Sequence, residues 1–274
     1  MADKRADAKG AVKDIYFKVY AMCIFMCTFV RNLHIMKKLF LTLVFAVASV
    51  SLFAKLNVQM HYDFGNVAYG NQLSNRPQLT ATIENFTPDR FGSTYFFIDG
   101  NFGGNTMKSA YAEFSREFCF WKAPIAIHIE YNGGLQEGFG YDDAYLAGIA
   151  YNWASADFNK TFSIQALYRY VARQEKGYKH NWQLTAVWGI NFAKGLCTFS
   201  GYADLNFDKK LNGYLMFTSE PQFWFNLNAL KKVNDNMNLS IGTELELSQN
   251  FIWPTDGVNN RFYAIPTIAA KWTF

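Results

Sequence analysis

Beyond Lys55 the chain contains no run of eighteen apolar residues, so nothing in that stretch is long enough to cross a membrane as a helix. Helical periodicity is missing there as well. Cysteine is scarce: Cys23 and Cys27 fall among the first 54 residues, which leaves only Cys119 and Cys197. Two distant cysteines make no disulfide framework. They could pair in an oxidising compartment, but two unpaired thiols are the expectation. No recognised serine motif accompanies His61, His128 or His180, and no metal-ligand spacing or phosphate-cradling glycine loop occurs. We therefore expect no catalytic residues, no metal and no cofactor. Gly103-Gly104, Gly133-Gly134 and Gly138-x-Gly140 read as loop and hairpin glycines.

An excess of positive charge is also lacking where it matters. The whole chain is +4, but residues 1–54 carry 8 of the 26 basic and 3 of the 22 acidic side chains. The remainder holds 18 basic and 19 acidic residues, a net of about −1. Nucleic acid is not an expected partner. Within the early stretch, Met36-Lys37-Lys38 precedes an apolar run from Leu39 to Phe53 and then Ala54. That order suits a signal peptide over residues 36–54, with a cleavage point uncertain by a few residues. Residues 1–35 read as an over-called upstream extension. The alternative is a membrane anchor at 15–30, which is short for a span and carries Lys18. No cysteine follows the signal, so lipid attachment is not indicated there.

What fills residues 55–274 is alternation. At the C-terminal end Phe262, Ala264, Pro266, Ile268, Ala270, Trp272 and Phe274 share one parity. Tyr263, Ile265, Thr267, Ala269, Lys271 and Thr273 share the other. Strand side chains point to opposite faces with period two, so one face is wholly apolar. A closing strand of an outer-membrane barrel has this form, and a terminal Phe274 resembles the signal read by barrel-insertion machinery. Similar segments occur at about 55–64, 76–86, 93–103, 107–118, 124–133, 143–154, 161–173, 181–193, 197–207, 213–226, 237–249 and 261–274. The expected fold is all-β: a closed antiparallel transmembrane β-barrel of twelve strands in the outer membrane of a Gram-negative bacterium. Short connections at 119–123, 155–160 and 194–196 suit the periplasmic side, with the longer one at 227–236 an exception, and long ones at 65–75, 134–142 and 250–260 suit the exterior. Both termini are then periplasmic. Closure has a physical cause, because hydrocarbon cannot satisfy a free strand edge.

The apolar parity is assigned to lipid, including Ile125, Ile127 and Ile129, Tyr145, Ile149 and Trp153, and Trp182, Leu184 and Trp188. The polar parity is assigned to the lumen. The candidate lumen-lining residues are Glu84, Tyr95, Phe97, Asp99, Tyr111, Glu113, His128, Glu130, Arg169, Arg173, Glu244 and Glu246. Acids dominate the early strands, and Arg169 and Arg173 fall on the seventh, so a basic wall is expected to face an acidic one. The lumen is either a narrow water-filled path or a plug of ion pairs.

One stretch, Glu84-Asn85-Phe86-Thr87-Pro88-Asp89-Arg90-Phe91-Gly92-Ser93-Thr94-Tyr95-Phe96-Phe97-Ile98-Asp99, resembles the Tsx-type nucleoside-specific channel proteins, which include vibrio phage-receptor relatives. Further pieces keep the family's order: Gln183 to Trp188, Gly201-Tyr202-Ala203-Asp204, Glu220-Pro221-Gln222-Phe223 and Gly242 to Leu247. The resemblance implies a monomeric twelve-stranded outer-membrane barrel whose narrow channel passes nucleosides. Some members of that family also serve as receptors for phages and colicins. The competing expectations are a barrel without a through-path that acts as a structural or receptor protein, and a lipid-modifying barrel enzyme.

Overall fold

The computed structural model describes residues 56–274 except 105, 174–178, 209–213, 231–236 and 259. The expected upstream extension and signal peptide lie outside the described residues. Among the described residues there are fourteen strands. They are β1 (Asn57–Asp63), β2 (Leu79–Asp89), β3 (Gly92–Gly103), β4 (Thr106–Phe118), β5 (Ile125–Gln136), β6 (Phe139–Gly140) and β7 (Ala144–Ala154). Then come β8 (Lys160–Val171), β9 (His180–Phe192), β10 (Cys197–Asp208), β11 (Tyr214–Ser219), β12 (Gln222–Asn226), β13 (Leu239–Gln249) and β14 (Phe262–Thr273).

These strands make a closed antiparallel barrel of twelve staves. β6 is a short appendage to β5, and β11 and β12 are two halves of one stave, both paired to β10 and to β13. The ring closes where β1 pairs with β14, Val58 opposite Trp272 and Tyr62 opposite Ile268. The Phe274 N–H donates to the Leu56 carbonyl at 2.9 Å, so the last stave ends beside the start of the first. Among the described residues no strand of the ring is left with an unpaired edge, as a bilayer demands.

Sequence chemistry fixes the short connections. At the β2–β3 turn, Asp89 Oδ1 accepts from the Phe91 N–H at 2.7 Å, and Gly92 takes φ +144. At the β7–β8 turn, Asp157 accepts from the Ser155 hydroxyl at 2.6 Å and from the Asn159 N–H at 3.1 Å. Hydrogen bonds from Ser155 and Asn159 hold this carboxyl down at about 2. The stave of β11 and β12 breaks at Glu220-Pro221, since proline has no N–H to give a ladder. Pro221 still accepts from the Leu245 N–H at 3.0 Å, and the Glu220 N–H donates to the Tyr202 carbonyl at 3.1 Å.

The outer face is an apolar belt. Ile125, Ile127, Ile129, Tyr145, Ile149, Tyr151, Trp153, Phe162, Ile164, Tyr168, Trp182, Leu184, Ile241, Phe262 and Ile268 are all exposed. A band of that extent far exceeds the apolar patch of a soluble monomer and matches a hydrocarbon surround. Trp272 departs from the lipid-facing assignment of its parity. It is on the outward parity but is buried in a cluster with Leu56, Val58, Met60, Ile83 and Leu239, with Phe274 packed alongside. Cys119 and Cys197 are both free thiols.

The first long connection does not stand away from the barrel. Helix α1 (Gly65–Tyr69) and the 3-10 turn Gly70–Leu73 fold inward. Leu73 is buried against Tyr263 and Ile265 of β14, with Tyr69 and Ile252 packed on the same cluster. Tyr263 and Ile265 belong to the inward parity, so this connection covers part of the barrel mouth.

Candidate functional site: the barrel lumen

Four facets line the interior. The first is aromatic and acidic. On β3, Tyr95 and Phe97 sit with ring centroids 6.2 Å apart; Phe97 is 6.0 Å from Tyr111 on β4, and Tyr111 is 6.0 Å from Tyr141 in the following long connection. These rings form a ladder toward the long-loop end. Gly134 makes room for its last rung, because a Cβ there would lie 2.8 Å from the Tyr141 ring. That glycine is within β5, not in a hairpin as its sequence pattern suggests. Carboxylates flank the ladder: Asp99 accepts from Thr82 at 2.5 Å, and Glu113 accepts from the Tyr111 hydroxyl at 2.7 Å. Next to it on β5, the His128 ring lies between two acids, with Nδ1 3.3 Å from Glu117 and Nε2 3.0 Å from Glu130. Asn152 donates to Glu117 at 2.6 Å.

The second facet is apolar. Ala144 and Leu146 of β7 and Leu167 and Val171 of β8 form a buried cluster on the inward parity. Arg169 belongs to the same stave, opposite Leu146. Its Nε and Nη1 have no hydrogen-bond partner among the described residues. The third facet is an amide chain across β9 and β10. Asn206 donates to Gln183 at 3.2 Å, Gln183 to Thr185 at 3.1 Å, and Thr185 to Asp204 at 2.6 Å.

The fourth facet, on β12, β13, β14, β1 and the edge of β2, is densely bonded. Gln59 donates to Glu84 at 2.9 Å, and the His61 Nε2 is 2.9 Å from Gln59 Oε1. Glu244 accepts from Gln222 at 2.6 Å and lies 3.8 Å from His61. Trp224 is fully buried; its indole N–H donates to Gln222 at 2.9 Å, and the Lys271 ammonium sits 4.1 Å from its ring centroid. Arg76 reaches in from the folded first connection to Asp63 at 2.8 Å and Glu246 at 2.5 Å.

Facing walls come close. Glu113 on the fourth stave is within Coulombic reach of Asp204 on the ninth, and Asp99 on the third is within reach of Glu220 on the tenth. Arg169 lies within Coulombic reach of both Tyr111 and Asp204. The charge of the lumen is lopsided. Asp63, Glu84, Asp99, Glu113, Glu117, Glu130, Asp204, Glu220, Glu244 and Glu246 face inward. Among the described residues Arg76, Arg169 and Lys271 face them, with the His128 ring between Glu117 and Glu130.

Eleven of the twelve lumen residues named from sequence thus come together on the inner face. Arg173 does not. It lies past the end of β8, its side chain is 59% exposed, and it meets Asp143 at 3.4 Å at the rim. The expected basic wall is consequently reduced to Arg169, and the wall facing the early acids supplies further acids. Arg76, Trp224, Asp204 and Glu220 went unrecognised as lumen groups. The Glu220-Pro221 break hides the phase of two of them, and Arg76 acts from a connection that alternation cannot read.

A family model matches residues 55–274. The chain belongs to the family described as Domain of unknown function (DUF5020). No curated protein matches it. Among solved structures, the chain is similar to the NanC porin at 10% identity and a TM-score of 0.53, over 80% of this chain and 100% of that one. It is also similar to the KdgM porin at 9% identity and a TM-score of 0.45, over 80% and 99% of the two chains. LpxR from Salmonella typhimurium aligns at 10% identity with a TM-score of 0.40, over 80% and 100%. At such identity the NanC likeness speaks for the barrel fold and nothing finer. The Tsx-type likeness rests on the sequence pieces alone.

Proposed function

We propose that this protein is an outer-membrane channel of a Gram-negative bacterium for passive uptake of small polar solutes, nucleosides among them. The observation that carries this reading is the ladder of Tyr95, Phe97 and Tyr111 beside Asp99 and Glu113 on the inner face of a closed ring. A nucleoside has a flat base that stacks on rings and a sugar whose hydroxyls donate to carboxylates. The protein works as a monomer, without metal or cofactor, surrounded by outer-membrane lipid and delivered by barrel-insertion machinery that reads the strand ending at Phe274. Current through planar bilayers in the presence of adenosine or thymidine tests the solute. Concentration-dependent block supports nucleosides, and unaltered current at saturating nucleoside removes them.

A second reading is favoured by the folded first connection. Arg76 ties it to two carboxylates at the mouth, which suits a barrel without a through-path that serves as a binding or receptor protein. Swelling of reconstituted liposomes in small neutral sugars separates the two readings. A lipid-modifying activity has less support: His61 and His128 are bonded inside the lumen, away from lipid. Release of fatty acid from phospholipid or lipid A by the purified protein would establish it.

A further inference from the structure

Two independent features of the lumen point the same way. One is charge. Arg76 is held by Asp63 and Glu246, and Lys271 is held over Trp224, so both are occupied on one side of the interior. His128 is bonded to Glu130 at 3.0 Å and sits 3.3 Å from Glu117, which leaves Arg169 to answer Glu113 and Asp204; Glu113, Glu130 and Asp204 lie within Coulombic reach of one another across the lumen. The other feature is unfilled hydrogen-bonding capacity. Gln165 and Asn206 are only 7% and 5% exposed, and both are on the inward parity. Gln165 Oε1 and Asn206 Oδ1 nevertheless have no partner among the described residues. Buried acceptors without donors are costly to leave unfilled. Asn206 also ends the amide chain that runs through Gln183 and Thr185 to Asp204, so its open acceptor is joined to the acidic level.

We infer that the lumen selects by charge and by hydrogen-bond donation: it passes cations and neutral, donor-rich solutes, rejects anions, and recognises them at the level of Glu113, Asp204, Gln165 and Asn206. This inference rests on the channel reading and names its solute class. A small organic amine fits best. Its ammonium faces the carboxylates and the Tyr111 ring, while hydroxyl or amine donors reach Gln165 and Asn206. Arg169 limits the field so that a cation is attracted without being trapped, as conduction requires.

The test is the reversal potential of the full-length protein in planar bilayers under a KCl gradient, followed by glucosaminium, glucose and glucuronate as solutes of similar size. The expected result is a K+/Cl− permeability ratio of about 10 or more, with glucosaminium carrying current and glucuronate carrying none. The double variant Glu113→Gln/Asp204→Asn lowers that ratio severalfold, and its heat-modifiable migration on gels confirms assembly. If the double variant does not assemble, Glu220→Gln, on the adjoining stave, carries the same expectation. A ratio at or below one, with clear conductance, overturns the inference and leaves the channel standing. A high ratio that the variants do not alter overturns the assigned level. No conductance from assembled barrels in any salt overturns the inference together with the channel.

Discussion

Where β13, β14 and β1 meet, Gln59, His61, Asp63, Glu246 and Lys271 each have a named bonding or stacking partner, with open polar atoms at Tyr263 and Trp272, whereas on β8, β9 and β10 the open polar atoms fall on Arg169, Gln165, Asn181 and Asn206, amide and guanidinium groups that line the lumen. Both regions are inner faces of the same ring. The seam side spends its polar groups on one another and on the folded first connection, so it holds the barrel's shape. The far side keeps capacity that a passing solute can use. A lumen therefore need not be uniformly a plug or uniformly a pore, and the division runs along the barrel wall.

The sharpest way to break this contrast is Arg76→Ala. It strips the counter-ion from Asp63 and Glu246, both buried, and should cost about 3–5 kcal/mol in urea unfolding from liposomes. Conductance should rise as the first connection loosens. Ile149→Arg, on the outer face at the middle of β7, acts on neither wall and should cost about 2–4 kcal/mol by the same assay. A smaller loss would mean the belt is not in hydrocarbon. Lys271→Met removes the cation over Trp224 and should lower stability by about 1–2 kcal/mol. Arg169→Met, in contrast, removes a guanidinium with two open N–H positions, so unfolding should move by no more than about 0.5 kcal/mol while cation selectivity rises. A loss like that of Arg76→Ala would erase the distinction between the walls. Asp157, in a turn outside both walls, gives the smallest effect. Its folded value is depressed, so its contribution is complete above the ordinary carboxylate range and is lost as pH falls toward about 2. An NMR titration of the side chain checks that midpoint.

Much of the architecture was legible because period-two alternation is enforced by the pleat and by two immiscible surroundings. Strands such as β5 and β9 carry one apolar parity over most of their length, and their boundaries could be read to within a few residues. The stave of β11 and β12 could not, because Glu220-Pro221 interrupts its ladder inside what reads as one segment from 213 to 226. The ladder rings and most of the early acids were legible from parity alone. The inward cluster of Leu146, Leu167 and Val171 was less so, since apolar residues on both parities blur the choice of face. Arg76 was out of reach because its role depends on a connection folding back over β14, a long-range packing event with Leu73 and Tyr263. Arg173 was misplaced by two residues of strand length, enough to move it from the wall to the rim.

Thiol labelling in liposomes tests the account most directly. With Cys119 and Cys197 replaced by serine, Ser115→Cys places a thiol on the inner face between Glu113 and Glu117, and Ile149→Cys places one on the outer belt. The account predicts that a cationic methanethiosulfonate labels the Ser115→Cys variant faster than its anionic counterpart, and that neither labels the Ile149→Cys variant. Faster labelling by the anion, or labelling at Ile149→Cys with none at Ser115→Cys, would contradict it.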